Sequence, residues 1–205
     1  MCGRFALFRW SPALAALPGF PDRLEPRWNV APGQQVLLVR AGEQGREAGL
    51  VHWGLTPAWL ADLSRAPAQA RAETIAEQPL FREAFVQRRG VLPANGFYEW
   101  RGARRRPYWM SCAEHPQLAL AALWEAYPVG GRVYLSAAVV TVAAGAQRRP
   151  LLLDAEREAL WLDPQTPSDR LQALLAASPL ALRERLLAGL GNSPAEEGPQ
   201  CLTPA

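Results

Sequence analysis

Leu118-Ala-Leu-Ala-Ala-Leu-Trp124 and Val133-Tyr-Leu-Ser-Ala-Ala-Val-Val-Thr141 are apolar runs of strand length with turn residues at their ends. Working outward, Val36–Arg40, Leu50–Trp53, Gly90–Pro93 and Tyr108–Ser111 repeat the pattern, so six or more strands are expected. Helical periodicity is confined to Pro12–Leu17, Ala72–Arg88, Asp154–Leu162 and Ser168–Leu190. In the second of these, Ile75, Leu80, Phe81 and Phe85 fall on one side. Thr166-Pro-Ser-Asp reads as a helix start, and Gly189 or Gly191 as a stop. Strands with helices inserted and appended predict an α+β fold around one sheet system that can close on itself. The tail from Gly191 to Ala205, rich in Pro, Gly and Glu, reads as disordered.

At 205 residues, with 49% hydrophobic and 20% charged residues, the chain has the balance of one ordinary globular domain spanning 1–205. No apolar run reaches the ~18 residues of a membrane helix, and Arg4 and Arg9 interrupt any signal-like stretch at the start. Cys2, Cys112 and Cys201 form no C-x-x-C pair and no disulfide framework, so a reducing cytoplasm is expected. No metal or other cofactor is expected. All 22 basic residues are arginine, so the α-amine is the chain's only amine, and Schiff-base chemistry on a lysine is excluded. Residues 1–150 carry 18 Arg against 11 acids, whereas 151–205 carry 4 against 8, a split of +7 and −4. The basic share points to a polyanion partner. Arg104, Arg105 and Arg106 read as a solvated cluster.

Cys2 is the most informative position. A residue this small permits removal of Met1, which leaves an α-amine and a thiol on adjacent carbons. An α-amine with a pKa of ~7.7–8.0 is substantially neutral at physiological pH. It can add to an aldehyde to give an imine, and the thiol can close on the imine carbon to give a thiazolidine.

Five motifs follow in fixed order: Cys2-Gly3-Arg4-Phe5, Trp28-Asn29-Val30-Ala31-Pro32-Gly33, Trp53-Gly54-Leu55-Thr56-Pro57-Ala58-Trp59, Ala70-Arg71-Ala72-Glu73-Thr74 and Pro93-Ala94-Asn95-Gly96-Phe97-Tyr98-Glu99-Trp100. With Arg148-Arg149-Pro150, Asn192-Ser193-Pro194 and Gly198-Pro199, this order resembles the SRAP family ("SOS-response-associated peptidase") across nearly the whole chain. The resemblance implies a single α+β domain with a barrel-like core of mostly antiparallel sheets, flanking helices and a positive groove for single-stranded DNA. It implies a monomeric, nucleoid-associated bacterial protein that bonds covalently through Cys2 to the ring-opened aldehyde of an abasic site.

By the same resemblance, Glu99 is the catalytic glutamate. Its aromatic neighbours are expected to desolvate the carboxyl and raise its pKa towards acid/base use. Arg71 matches a phosphate-binding arginine, a role to which the guanidinium fork is suited. Arg4 and Arg148 are further phosphate candidates, and Trp59 matches a groove tryptophan on which a base can stack. Asn29 and Thr141 match positions near the nucleophile and the DNA backbone.

Three departures stand out. Gln69 replaces the asparagine that positions the sugar, and Asn95 replaces an aspartate. Ala146 stands where the family histidine is expected, in an apparently shortened loop, and neither His52 nor His115 is an obvious substitute. Two alternatives accompany the covalent reading. One is a thiol peptidase built on Cys2 and Glu99. The other is a non-covalent single-strand binder that has lost the histidine's chemistry.

Overall fold

The structure, a computed structural model, describes residues 3–62, 64, 66–112, 114–176 and 180–205. Its centre is a closed barrel of five strands. These are β3 (Gln35–Gly42), β4 (Gly45–Trp53), β6 (Arg89–Ala94), β9 (Leu118–Val129) and β10 (Arg132–Ala144), each hydrogen-bonded to the next and β10 closing in parallel on β4. Both runs that decided the fold reading lie here, as the paired strands β9 and β10. Three short strands extend the barrel: β5 (Gln69–Arg71), parallel to β10, β11 (Gln147–Pro150) and β12 (Leu152–Leu153). A second, antiparallel sheet runs in the order β13 (Arg183–Leu186), β8 (Arg106–Ser111), β7 (Gly96–Arg101), β1 (Phe5–Leu7), β2 (Arg27–Val30).

Strand alternation explains how the layers stack. Val36, Leu38, Leu120, Ala122 and Val139 bury against Phe5, Val30, Phe97 and Met110 of the second sheet. Their sequence neighbours Leu37, Val39, Ala121, Leu123 and Val140 share a core with helices α2 (Arg82–Gln87), α3 (Ala155–Leu162) and α4 (Ser168–Leu175). The remaining helix described, α1 (Pro12–Ala15), starts on Ser11, whose Oγ accepts from the Leu14 amide. Buried Arg89 donates to the carbonyls of Phe85, Val86, Trp161 and Asp163, satisfying groups at the ends of α2 and α3.

Three expectations need correction. The helix expected over 72–88 forms only from Arg82, because Pro79 cannot donate an amide and disfavours helix at the residue before it; 72–78 fold as turns that still bury Ile75. The helix expected over 168–190 ends at Leu175, and 183–186 become edge strand β13, where pairing with β8 overrides helical propensity. The tail is not disordered. A 3-10 turn (Pro199–Leu202) buries Cys201, and Leu187 and Leu202 cover Tyr98 and Trp109 on the outer face of the second sheet.

Candidate functional site

β1 pairs with β7 through Phe5↔Phe97 and Ala6↔Gly96, and the Tyr98 amide donates to the Arg4 carbonyl at 3.0 Å. Gly3 therefore leaves β1 alongside β7, towards the Glu99 position. Met1 and Cys2, the expected nucleophile, lie outside the described residues. Gly3 opens onto a cavity of about 830 Å³ whose wall includes Gln69, Trp100, Gln147 and Asn192 and three arginines, Arg4, Arg104 and Arg105, with no carboxylate among its lining residues. Such a lining favours an anion. A separate cavity beside Leu14, Arg46 and Glu158 contains none of the candidate site residues.

Glu99 lies on β7 between the Tyr98 and Trp100 positions and is 2% exposed. Its Oε2 accepts from Arg101 Nη2 at 2.6 Å and Nε at 2.9 Å, and its Oε1 accepts from Arg149 Nε at 2.5 Å. Both arginines also reach Glu184 of β13, at 2.7 Å from Arg101 and 3.2 Å from Arg149. Burial pushes the Glu99 carboxyl up, as the aromatic flanks led us to expect. The bonds and charges of Arg149 and Arg101 outweigh it, and the group is held below the usual carboxylate range. The expected upward shift is therefore overturned, and at neutral pH Glu99 is an anion in a network of two positive and two negative groups.

Arg4 and Asn29 are occupied inside the protein. The Asn29 side chain is fully buried, and its Nδ2 donates to the carbonyls of Gly191, Ser193 and Glu196 at 3.1, 2.8 and 2.9 Å. Arg4 donates to Asn29 Oδ1 at 3.1 Å and to the carbonyls of Gly191 and Asn192 at 2.5 and 2.6 Å, and its guanidinium lies 4.8 Å from the Trp100 ring centroid. Glu197 completes the clasp, accepting from Arg27 at 2.9 Å and from the Trp28 and Asn29 amides. The motifs Trp28-Asn29 and Asn192-Ser193-Pro194 thus meet as a lock that pins the C-terminal tail beside the cavity.

Arg148 is also engaged. It makes a two-pronged ion pair with Glu73 at 2.6 and 3.2 Å and donates to the hydroxyl and carbonyl of fully buried Thr141. Alternation along β11 sends Arg148 to Glu73 and its neighbour Arg149 to Glu99. Arg71 is exposed on β5, and among the described residues its guanidinium has no hydrogen-bond or ion-pair partner. Trp59 is 60% exposed in the loop after β4. Gln69, also on β5, lies in the cavity wall. Asn95 is structural: its Oδ1 accepts from the Phe8 and Arg9 amides, and its Nδ2 donates to the Arg9 and Pro116 carbonyls.

The loop at Ala146 is as short as a hairpin allows. Ala144 pairs with Gln147, leaving Gly145, at φ 60°, and Ala146 as the whole turn, with Ala146 exposed. His52 and His115 are exposed and outside the cavity wall. Sequence reasoning missed the partners of Glu99: Arg101, two residues along β7 on the same face, was passed over, whereas Arg149 and Glu184 come from β11 and β13, whose adjacency no local pattern reveals. It also treated Arg104 and Arg105 as merely solvated, whereas the β7–β8 turn folds them over the cavity.

The family profile described as "SOS response associated peptidase (SRAP)" matches residues 1–185. The chain belongs to this family. Among curated SRAP relatives, it is 31% identical to "Abasic site processing protein YoqW" of Bacillus subtilis over 98% of this chain and 99% of that one. It is 30% identical to "Abasic site processing protein YedK" of Escherichia coli over 79% of each chain. Solved structures share the fold: a Bacteroides thetaiotaomicron protein superposes with a TM-score of 0.86 at 21% identity over the whole of both chains. A phage-related protein of Bordetella bronchiseptica superposes at 0.73 with 25% identity over 96% of this SRAP chain and 99% of its own.

Proposed function

We propose that this protein processes abasic sites in single-stranded DNA by capturing the lesion covalently on Cys2 after Met1 is removed. The observation that carries the reading is the path of the chain start: β1 delivers Gly3 to an arginine-lined cavity beside β7, which carries the buried carboxylate of Glu99. The names of the relatives, abasic site processing proteins, agree with it. An abasic deoxyribose in its open form is an aldehyde. The Cys2 α-amine adds to the aldehyde carbon and water leaves, giving an imine. The thiol then adds across the C=N bond: sulfur bonds to carbon and the thiol proton passes to nitrogen, closing the thiazolidine. With no lysine in the chain, the α-amine is the one group able to begin this sequence.

The other site residues take roles suited to their surroundings. Glu99, ionised, accepts a proton during sugar ring opening, and Gln69 holds the sugar from the cavity wall. Arg71 supplies an unengaged guanidinium for a backbone phosphate, and Trp59 offers an exposed ring for a base. Thr141 fixes Arg148, whose two-pronged bond to Glu73 orders the strand edge next to Arg71. Arg4 and Asn29 act from inside, by locking the tail along the cavity rim.

Incubating the Met1-processed protein with abasic, uracil-containing and intact single strands tests the proposal. A denaturation-resistant shift with the abasic strand alone is expected. Equal, dissociable binding to all three would favour the non-covalent reading, and cleavage of peptides without any adduct would favour the peptidase.

A further inference from the structure

We propose that Arg149 is a positioning residue: clasped between Glu99 and Glu184, it holds the Glu99 carboxylate in place and ionised, so that Glu99 enters the reaction as a proton acceptor rather than a proton donor. The inference deepens the reading above and rests on it. Glu99 is 2% exposed, and both its oxygens are taken by guanidinium groups, Oε1 by Arg149 Nε at 2.5 Å and Oε2 by Arg101 Nη2 at 2.6 Å. Oε2 also accepts from Arg101 Nε and, at 3.3 Å, from Arg149 Nη2, so a proton there would face guanidinium N–H groups, whereas Oε1 accepts from Arg149 Nε alone and keeps a lone pair for a proton.

The groups facing Glu99 can be named strand by strand. On its own strand β7 there is Arg101, and on β11 there is Arg149. From β13 comes Glu184, which holds both arginines in place at 2.7–2.8 Å from Arg101 and 3.2 Å from Arg149. Across on β8, Tyr108 pairs with Glu99, and the Arg101 guanidinium lies 4.8 Å from its ring centroid. Arg101 is doubly anchored, to Glu99 and to Glu184, and is further packed on Tyr108. Arg149 reaches in from the short strand that follows the Gly145-Ala146 turn, so the residue that conditions the carboxylate is delivered by the segment where the family histidine is absent.

Removing Arg149 takes away one opposite charge at bonding distance, a change that moves a carboxyl pKa by roughly one unit or more. In Arg149→Met the Glu99 pKa should rise by about one unit, which adds a loss of single-turnover crosslinking rate in acid to the one that protonation of the α-amine causes in both proteins. The Glu99 carboxyl resonance, assigned by its loss in Glu99→Gln, should titrate higher by the same amount in protein without DNA. Arg101→Met should move both in the same direction, which keeps the test open if Arg149→Met folds poorly. Glu184→Gln should move neither upward, since both guanidinium groups remain on Glu99. An unmoved Glu99 titration in both arginine variants overturns the proposal. A wild-type protein that crosslinks at no pH would instead overturn the function proposed above, and the DNA-free titration distinguishes the two failures.

Discussion

Asn29→Ala separates a tail lock from a DNA contact, two roles the same motif residue could fill. The Asn29 side chain donates two amide hydrogens to three carbonyls, of Gly191, Ser193 and Glu196, and its oxygen accepts from the charged Arg4. Neutral bonds are worth about 0.5–1.5 kcal/mol net, and one to a charged group about 1.5–3 kcal/mol. Two neutral bonds and one charged bond sum to roughly 2.5–6 kcal/mol, and because a released tail can rehydrate its carbonyls, the expected loss lies in the lower half, about 2.5–4 kcal/mol. For a chain of this size that is a fall in Tm of about 5–15 °C. Urea denaturation gives the energy, and amide exchange shows where it is lost: protection should fall from residue 189 onward while β9 and β10 hold. A loss below about 1 kcal/mol with unchanged tail protection, alongside a large drop in affinity for DNA, would refute the lock and return Asn29 to the DNA.

Four further outcomes are expected. Arg71→Ala should weaken binding to intact and abasic single strands alike and lower the salt slope by about one, read by anisotropy across a salt series, because a phosphate contact does not read the lesion. Trp59→Ala should cost about 1–3 kcal/mol of single-strand affinity, measured by the same titrations, and leave Tm unchanged, since the ring is exposed. Gly96→Ala should destabilise by about 1–3 kcal/mol in denaturant titration, because a Cβ there would lie 2.3 Å from Trp109 Cζ2 and 2.5 Å from the Met110 carbonyl oxygen. The Glu99 network holds that carboxyl below its unfolded value of about 4.3. Its contribution to stability is therefore complete above that pH and is lost as pH falls through the lower folded value, so the stability gap between wild type and Glu99→Gln should be constant from pH 6 to 8 and shrink only in acid.

The barrel was legible because its strands are apolar runs bounded by turns, and all six expected runs fall within observed strands, β3, β4, β6, β8, β9 and β10. Of the strands that were not anticipated, β7 is six residues long and largely buried, and the others are short or polar. β1 has three residues, β5 is Gln-Ala-Arg and β13 is Arg-Glu-Arg-Leu, and each exists only because a partner strand supplies its hydrogen bonds. The order of the tail was hidden for a similar reason. Its composition carries no core pattern, and it is fixed by carbonyls that meet Asn29 and Arg4 from 162 to 188 residues away. At the site, residue type and motif order singled out Glu99, Gln69, Arg71 and Trp59, of which Glu99 is buried, Gln69 lies in the cavity wall, and Arg71 and Trp59 are exposed. The charge state of Glu99 was misjudged, because the flanking aromatics were weighed while Arg101, two residues on, was passed over and Arg149, arriving from 50 residues away, is not visible in sequence.

The central claim is that Cys2 bonds to the sugar aldehyde, and intact-mass analysis of the protein–DNA adduct with peptide mapping tests it most directly. The account predicts an adduct lighter than protein plus abasic strand by one water, lacking Met1, with the modification on the peptide that begins at Cys2, and no adduct once the α-amine is blocked. An adduct mapped to any other residue, or one formed equally well by protein that retains Met1, would contradict it.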